Sequence, residues 1–135
     1  MLNLEPLAAL AANEMAGHDP ASANDAENII TKSLAVLAEQ GLYAFGLFLA
    51  TRRNQHQAPA LRINQEARRL LQSAALVTPE QMRAPDMPSF YRSLTAAQPG
   101  ESPSEALRRI LLSKQLLETT LTYGRYAAKA LKNDV

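Results

Sequence analysis

Apolar residues recur at intervals of three and four along most of the chain, and no run alternates apolar with polar as a strand does, so an all-α fold is predicted. A first helix fits Leu4 to Met15, and Gly17-His18-Asp19-Pro20 reads as its stop. After a loop through Asn24, with Asn24 or Asp25 as N-cap, a second helix carries Ala26, Ile29, Ile30, Leu34, Leu37 and Ala38 on one stripe. Gly41 breaks or bends it. Leu42 opens a third helix that is apolar nearly all round, as a central buried helix must be, and Arg52 and Arg53 end it where cations suit the negative end of the helix dipole.

Pro59 is placed to be the first residue of a fourth helix running to about Ala75, with Ile63, Ala67, Leu70, Leu71 and Ala74 on its buried side. Arg62, Glu66 and Arg69 line the opposite side as a charged stripe, with Arg68 on its flank. Thr78-Pro79-Glu80-Gln81 looks like a cap and a turn of helix, but Pro85, Pro88 and Pro99 keep the following stretch irregular or in short helical pieces, one of them anchored by Phe90 and Leu94. Ser102, Pro103, Ser104 and Glu105 then signal a last helix running to about Lys132. Its apolar arc holds Ala106, Ile110, Leu117, Leu121, Ala127, Ala128 and Leu131, leaving little apolar surface exposed. Lys114, Glu118, Arg125, Lys129 and Lys132 share the remaining sector within about 60° of each other. The expected architecture is a compact bundle of about five to six helices with a long C-terminal helix. It forms a single domain over 1–135: an acidic N-terminal helix in 1–23, core helices in 24–77 and 103–132, and a proline-rich connector over 78–102.

Composition removes whole classes of chemistry. Among the 135 residues there is no cysteine, which excludes disulfides, thiolate metal sites and cysteine nucleophiles, and a zinc site would need His18 and His56 brought together with carboxylates. The longest apolar stretch, Leu42 to Ala50, is nine residues against the ~20 of a bilayer span, and the first fifteen residues carry acids and no basic segment. A cytoplasmic protein with no membrane segment is expected. No phosphate-binding glycine loop, nucleophile elbow or H-E-x-x-H pair occurs, and Glu66 and Glu118 alternate with cations at ion-pairing distance along a helix, so neither enzymatic activity nor a cofactor is expected.

Charge is where the pattern becomes specific. Net charge is +1, yet residues 1–28 hold five acids and no lysine or arginine, whereas 51–69 holds five arginines against Glu66 alone. Such segregation suits a polyanion-binding face opposite an acidic one. Arg52, Arg53, Arg62 and Arg69, with Arg68 flanking, form one candidate phosphate-contacting group, and Lys114, Arg125, Lys129 and Lys132 form a second. His56 lies beside the first, where it could stack on or hydrogen-bond to a nucleotide. A charged surface that only meets solvent is the competing explanation for all of them.

Two segments carry a resemblance. Residues 32–53, KSLAVLAEQGLYAFGLFLATRR, join an amphipathic helix through Gly41-Leu42 to an apolar helix ending in arginines; residues 121–131, LTYGRYAAKAL, set aromatics about Arg125 on the terminal helix. In this order, and at this chain length, they resemble the small all-helical subunit of type III (Cmr-type) CRISPR RNA-guided effector complexes, over roughly residues 24–55 and 103–132. The acidic N-terminal segment and the proline-rich stretch 79–103 depart from that family's pattern. The resemblance implies a non-catalytic protein of antiviral defence that stacks in several copies beside the other effector subunits and holds guide RNA and target RNA. Arginine and lysine on rigid helices would contact phosphates without regard to sequence, because base pairing supplies the specificity. An acidic N-terminal surface meeting a basic face of the next copy would allow stacking. Two alternatives stand beside it: a helical adaptor that binds only protein, and a DNA-binding helix-turn-helix. The second is disfavoured because the helix after Gly41 has no polar face to read bases.

Overall fold

The computed structural model describes residues 3–133; the first two positions of the expected 1–23 segment and the last two of the 1–135 domain lie outside the described residues. Among the described residues there are seven α-helices and no strand: α1 (Glu5–Ala16), α2 (Ala23–Gln40), α3 (Leu42–Ala50), α4 (Gln57–Ser73), α5 (Pro79–Met82), α6 (Met87–Leu94) and α7 (Pro103–Asn133). Short 3-10 turns at Pro20–Ser22 and Asn54–His56 precede α2 and α4. Buried side chains from α1, α2, α3, α4, α6 and α7 form one core.

Small residues decide where α7 lies. α1 buries Ala8, Ala11, Ala12 and Ala16, and α7 brings Gly124 and Ala128, so the two helices meet with little side chain between them. A Cβ added at Gly124 would stand 3.6 Å from the Ala12 carbonyl oxygen and 3.5 Å from Ile30 Cδ1. α7 therefore beds along α1 and also along α2, and sends Leu117 and Leu121 into the core. Full burial of each such leucine contributes roughly 1.5–3 kcal/mol. Between α2 and α3 a single residue turns the chain: Gly41 adopts φ +96°, a conformation glycine takes without strain, while its N–H donates to the Leu37 carbonyl at 3.0 Å.

The proline-rich connector is more ordered than its composition suggests. Thr78 and Gln81 form a reciprocal cap on α5, and Asp86 caps α6 by accepting the Ser89 N–H at 2.8 Å, which holds the Asp86 carboxyl below the usual carboxylate range. α6 buries Phe90, Tyr91 and Leu94. The Tyr91 ring lies so close to Gly46 of α3 that a Cβ there would come within 2.5 Å of it, and it meets Phe45 and Phe90 edge-on at centroid distances of 5.4 and 5.0 Å. Each edge-on pair adds about 0.5–1.5 kcal/mol beyond area. The loop from α6 to α7 is fastened by Arg109, whose guanidinium meets the Glu101 carboxylate at 2.8 Å and donates to the carbonyls of Leu94 at 3.1 Å and Ala96 at 2.6 Å.

Four local expectations are corrected. Neither Asn24 nor Asp25 caps α2, which already begins at Ala23; Asp19 instead accepts the Ala21 N–H and starts the preceding 3-10 turn. α4 begins at Gln57, two residues before Pro59, and ends at Ser73, short of Ala75. Glu66 is buried, because α4 lies against α1 on that side, so the stripe with Arg62 and Arg69 is not an exposed face. Finally, α7 leaves Leu107 at 57%, Leu111 at 56% and Leu112 at 40% exposed, contrary to the expectation that its apolar residues are nearly all covered. By the 100° rule Leu107 and Leu111 fall about 100–140° from Ala106, outside the arc that one packed face can bury.

Candidate nucleic-acid interface

The arginines between 52 and 69 come from the end of α3 and from α4, and the fold gives each a different neighbour. Arg52 closes α3: Nε donates to the Phe48 carbonyl at 3.0 Å, a terminal nitrogen to Thr51 Oγ1 at 3.1 Å, and the guanidinium lies 4.0 Å from the centre of the Phe48 ring. Arg53 is exposed and reaches only nearby carbonyls, Ala50 at 3.4 Å and Arg52 at 3.2 Å. Arg62 is half-buried over Gly17, with Nε and one terminal nitrogen enclosed and without a hydrogen-bond partner. Arg68 is engaged inside the fold, donating to the carbonyls of Met82 at 3.1 Å and Ala84 at 3.2 Å with its guanidinium 4.3 Å from the centre of the Phe90 ring. Arg69, 60% exposed, pairs at 3.1 Å with Glu66, whose side chain is only 10% exposed. These five share no partner, so no common contact ties together the group expected from their clustering in sequence.

Nearby, His56 Nε2 lies 3.9 Å from Asp25 Oδ1. His18 meets Glu14 at 3.3 Å instead, so the two histidines sit against different acids.

On α7 the geometry differs. Lys114 is turned toward α2 and Glu118, with Nζ 3.3 Å from the Glu118 carboxylate and 3.3 Å from the Ala38 carbonyl oxygen. Further along, Lys132 Nζ lies 2.8 Å from Glu27 Oε2 on α2. The Lys132 ammonium, by hydrogen bond and by charge, and then the charges of Lys129 and Arg125, hold the Glu27 carboxyl below its ordinary value. Arg125 is half-buried, with its Nε enclosed and lacking a hydrogen-bond partner, and Lys129 is half-buried beside it. Among the described residues, three cations on one face of α7 thus act on the Glu27 carboxylate, and one of them, Lys132, is bonded to it. Of the second candidate group, Arg125, Lys129 and Lys132 are brought together and Lys114 is held apart.

Glu27 carries no signal of its own in the sequence: it stands at the margin of an apolar stripe, and its cation lies far along the chain. Arg108, outside both candidate groups, is exposed among the uncovered leucines, where Leu107, Leu111, Leu112, Leu4 and Ala74 line an open groove. The signal was present there: leucines occur on α7 in excess of one arc. No helix among the described residues is long and apolar enough to cross a membrane. Comparison with protein-family models, with curated proteins and with solved structures found no match to this chain.

Proposed function

We propose that this chain is a non-catalytic small subunit of a type III CRISPR-like RNA-guided effector complex, touching guide RNA and target RNA through backbone phosphates. The observation that carries the reading is that Arg125, Lys129 and Lys132 share one face of α7 beside α2, with Lys132 bonded to Glu27. A rigid helix face presenting three cations attracts ribose-phosphate strands of any sequence, which suits a complex whose specificity lies in base pairing. The resemblance over residues 24–55 and 103–132 is what suggests this kind of complex. In this reading Arg53 and Arg69 are outlying exposed contacts, while Arg52, Arg68 and Lys114 serve the fold. The test is the affinity of the chain for an RNA duplex of arbitrary sequence as salt is raised. Reversing Lys129 and Lys132 to glutamate lowers both affinity and salt slope; identical slopes contradict the reading.

A second reading, an adaptor that binds only protein, is favoured by the exposed Leu107, Leu111 and Leu112 beside Arg108. It predicts no retardation of bulk RNA in a gel. The two readings share this surface, since a subunit that lies on RNA also needs a docking face for other effector subunits or for further copies of itself.

A further inference from the structure

The acid bonded to one member of the cationic cluster is out of place in a surface built only to attract phosphate. Arg125, Lys129 and Lys132 follow one another on α7 at spacings of four and three, so they project within about 60° of each other. Glu27 belongs to the second turn of α2, 105 residues away in the chain, and still meets Lys132 Nζ at 2.8 Å. Its side chain is 17% exposed against 41% for Lys132, so the carboxylate lies beneath and the ammonium above. The nitrogen that an incoming phosphate oxygen meets is therefore already hydrogen-bonded to a carboxylate oxygen of the same chain. A carboxylate and a phosphate oxygen offer an ammonium the same kind of bond.

We propose that Glu27 is a built-in competitor for backbone phosphate: it occupies Lys132, reduces the cluster from three positive charges to two, and so sets how tightly the chain holds RNA. The proposal rests on the RNA-backbone reading above. Three like charges packed on one helix end repel one another, and Glu27 relieves that repulsion in the absence of RNA while tying the end of α7 to α2. When phosphate arrives, Lys132 exchanges one acceptor for another, and only Arg125 and Lys129 bring uncommitted charge. Contact is thereby weaker and more readily reversed than three free cations would give, as a sequence-blind subunit requires if base pairing is to decide which target stays bound.

The experiment uses the full chain and a 20-base-pair RNA duplex, followed by fluorescence anisotropy across ~50–200 mM salt. Glu27→Gln tightens binding roughly threefold to fivefold at the low-salt end, since one repelling charge is removed at close range. It also steepens the salt slope by up to about 0.9, the increment for one further phosphate neutralised. Lys132→Gln and Lys129→Gln each weaken binding, and the Glu27→Gln/Lys132→Gln double variant, with the net cluster charge restored, returns to about the parent affinity. Glu27→Met, neutral and a good helix former, serves as the second neutral variant and tightens binding as well. Binding by Glu27→Gln and Glu27→Met that is equal to or weaker than the parent, while Lys129→Gln weakens it, overturns the role of Glu27 and leaves the RNA reading standing. A parent chain that binds no RNA, or lysine variants as tight as the parent, overturns the RNA reading and this proposal together.

Discussion

Between residues 52 and 69 five arginines stand against one acid, and between 125 and 132 three cations stand against none, so the two stretches look alike as written. Folded, they part. The earlier stretch places guanidinium groups on carbonyls at the end of α3 and at and just past the end of α5, over the faces of Phe48 and Phe90, and against the buried Glu66. The later one keeps its charges on one face near the end of a long helix, where Lys132 bonds Glu27 of α2. The chemistry of the side chains accounts for much of the difference. Arginine's planar fork is weakly hydrated and matches carbonyl pairs and aromatic faces, whereas lysine's ammonium is a strongly hydrated point charge that keeps to the rim. A run of arginine beside apolar helices is therefore as much a sign of how loops are fastened as of polyanion binding.

The largest consequence is for stability. Arg109→Met, a third arginine of the fastening kind, leaves the carbonyls of Leu94 and Ala96 without their donor and costs roughly 2–4 kcal/mol in chemical denaturation. Arg68→Gln removes two carbonyl bonds and a ring contact and costs about 2 kcal/mol. Lys129→Gln, by contrast, changes stability by less than about 0.5 kcal/mol, as a rim substitution should, while weakening RNA binding. A Lys129 variant as destabilised as the Arg68 variant would erase the distinction between the two regions.

The smallest effect is acidic. Arg109, by hydrogen bond, and then the Gln98 N–H hold the Glu101 carboxyl below its ordinary value, and Lys132 does the same for Glu27. A carboxyl depressed in the folded state contributes stability that is fully present above the unfolded value of about 4.3 and is lost as pH falls through the lower folded value. Thermal midpoints recorded from neutral to strongly acidic pH should therefore fall below pH ~4.3, and less steeply in Arg109→Met than in the parent. Parallel curves would contradict the Arg109 attribution.

The helices could be read because each carries its own signal: stripes at three and four, Gly41 at a turn only glycine makes freely, and the Ser102–Glu105 pair, where the Glu105 N–H donates to Ser102 Oγ at 3.2 Å. The start of α2 could not, because Asp19, Asn24 and Asp25 are all able caps and only the tertiary path of the 3-10 turn chooses among them. The site was half readable. The spacing of Arg125, Lys129 and Lys132 is local to one helix and survives folding, whereas Glu27 and Lys132 are 105 residues apart and meet only because the small residues of α1 and α7 set the course of α7 past α2. Arg68 reads as a flanking surface charge until α5 and α6 are placed over it.

The most direct trial of the account compares salt slopes for RNA-duplex binding in the parent, Lys129→Glu/Lys132→Glu and Arg68→Gln under conditions where all three are folded. Expected is a slope reduced by at least about 0.9 in the lysine variant, for the phosphate that Lys129 no longer meets, Lys132 being already held by Glu27, and an unchanged slope in the arginine variant. A slope that falls with Arg68 and holds with the lysines would contradict it.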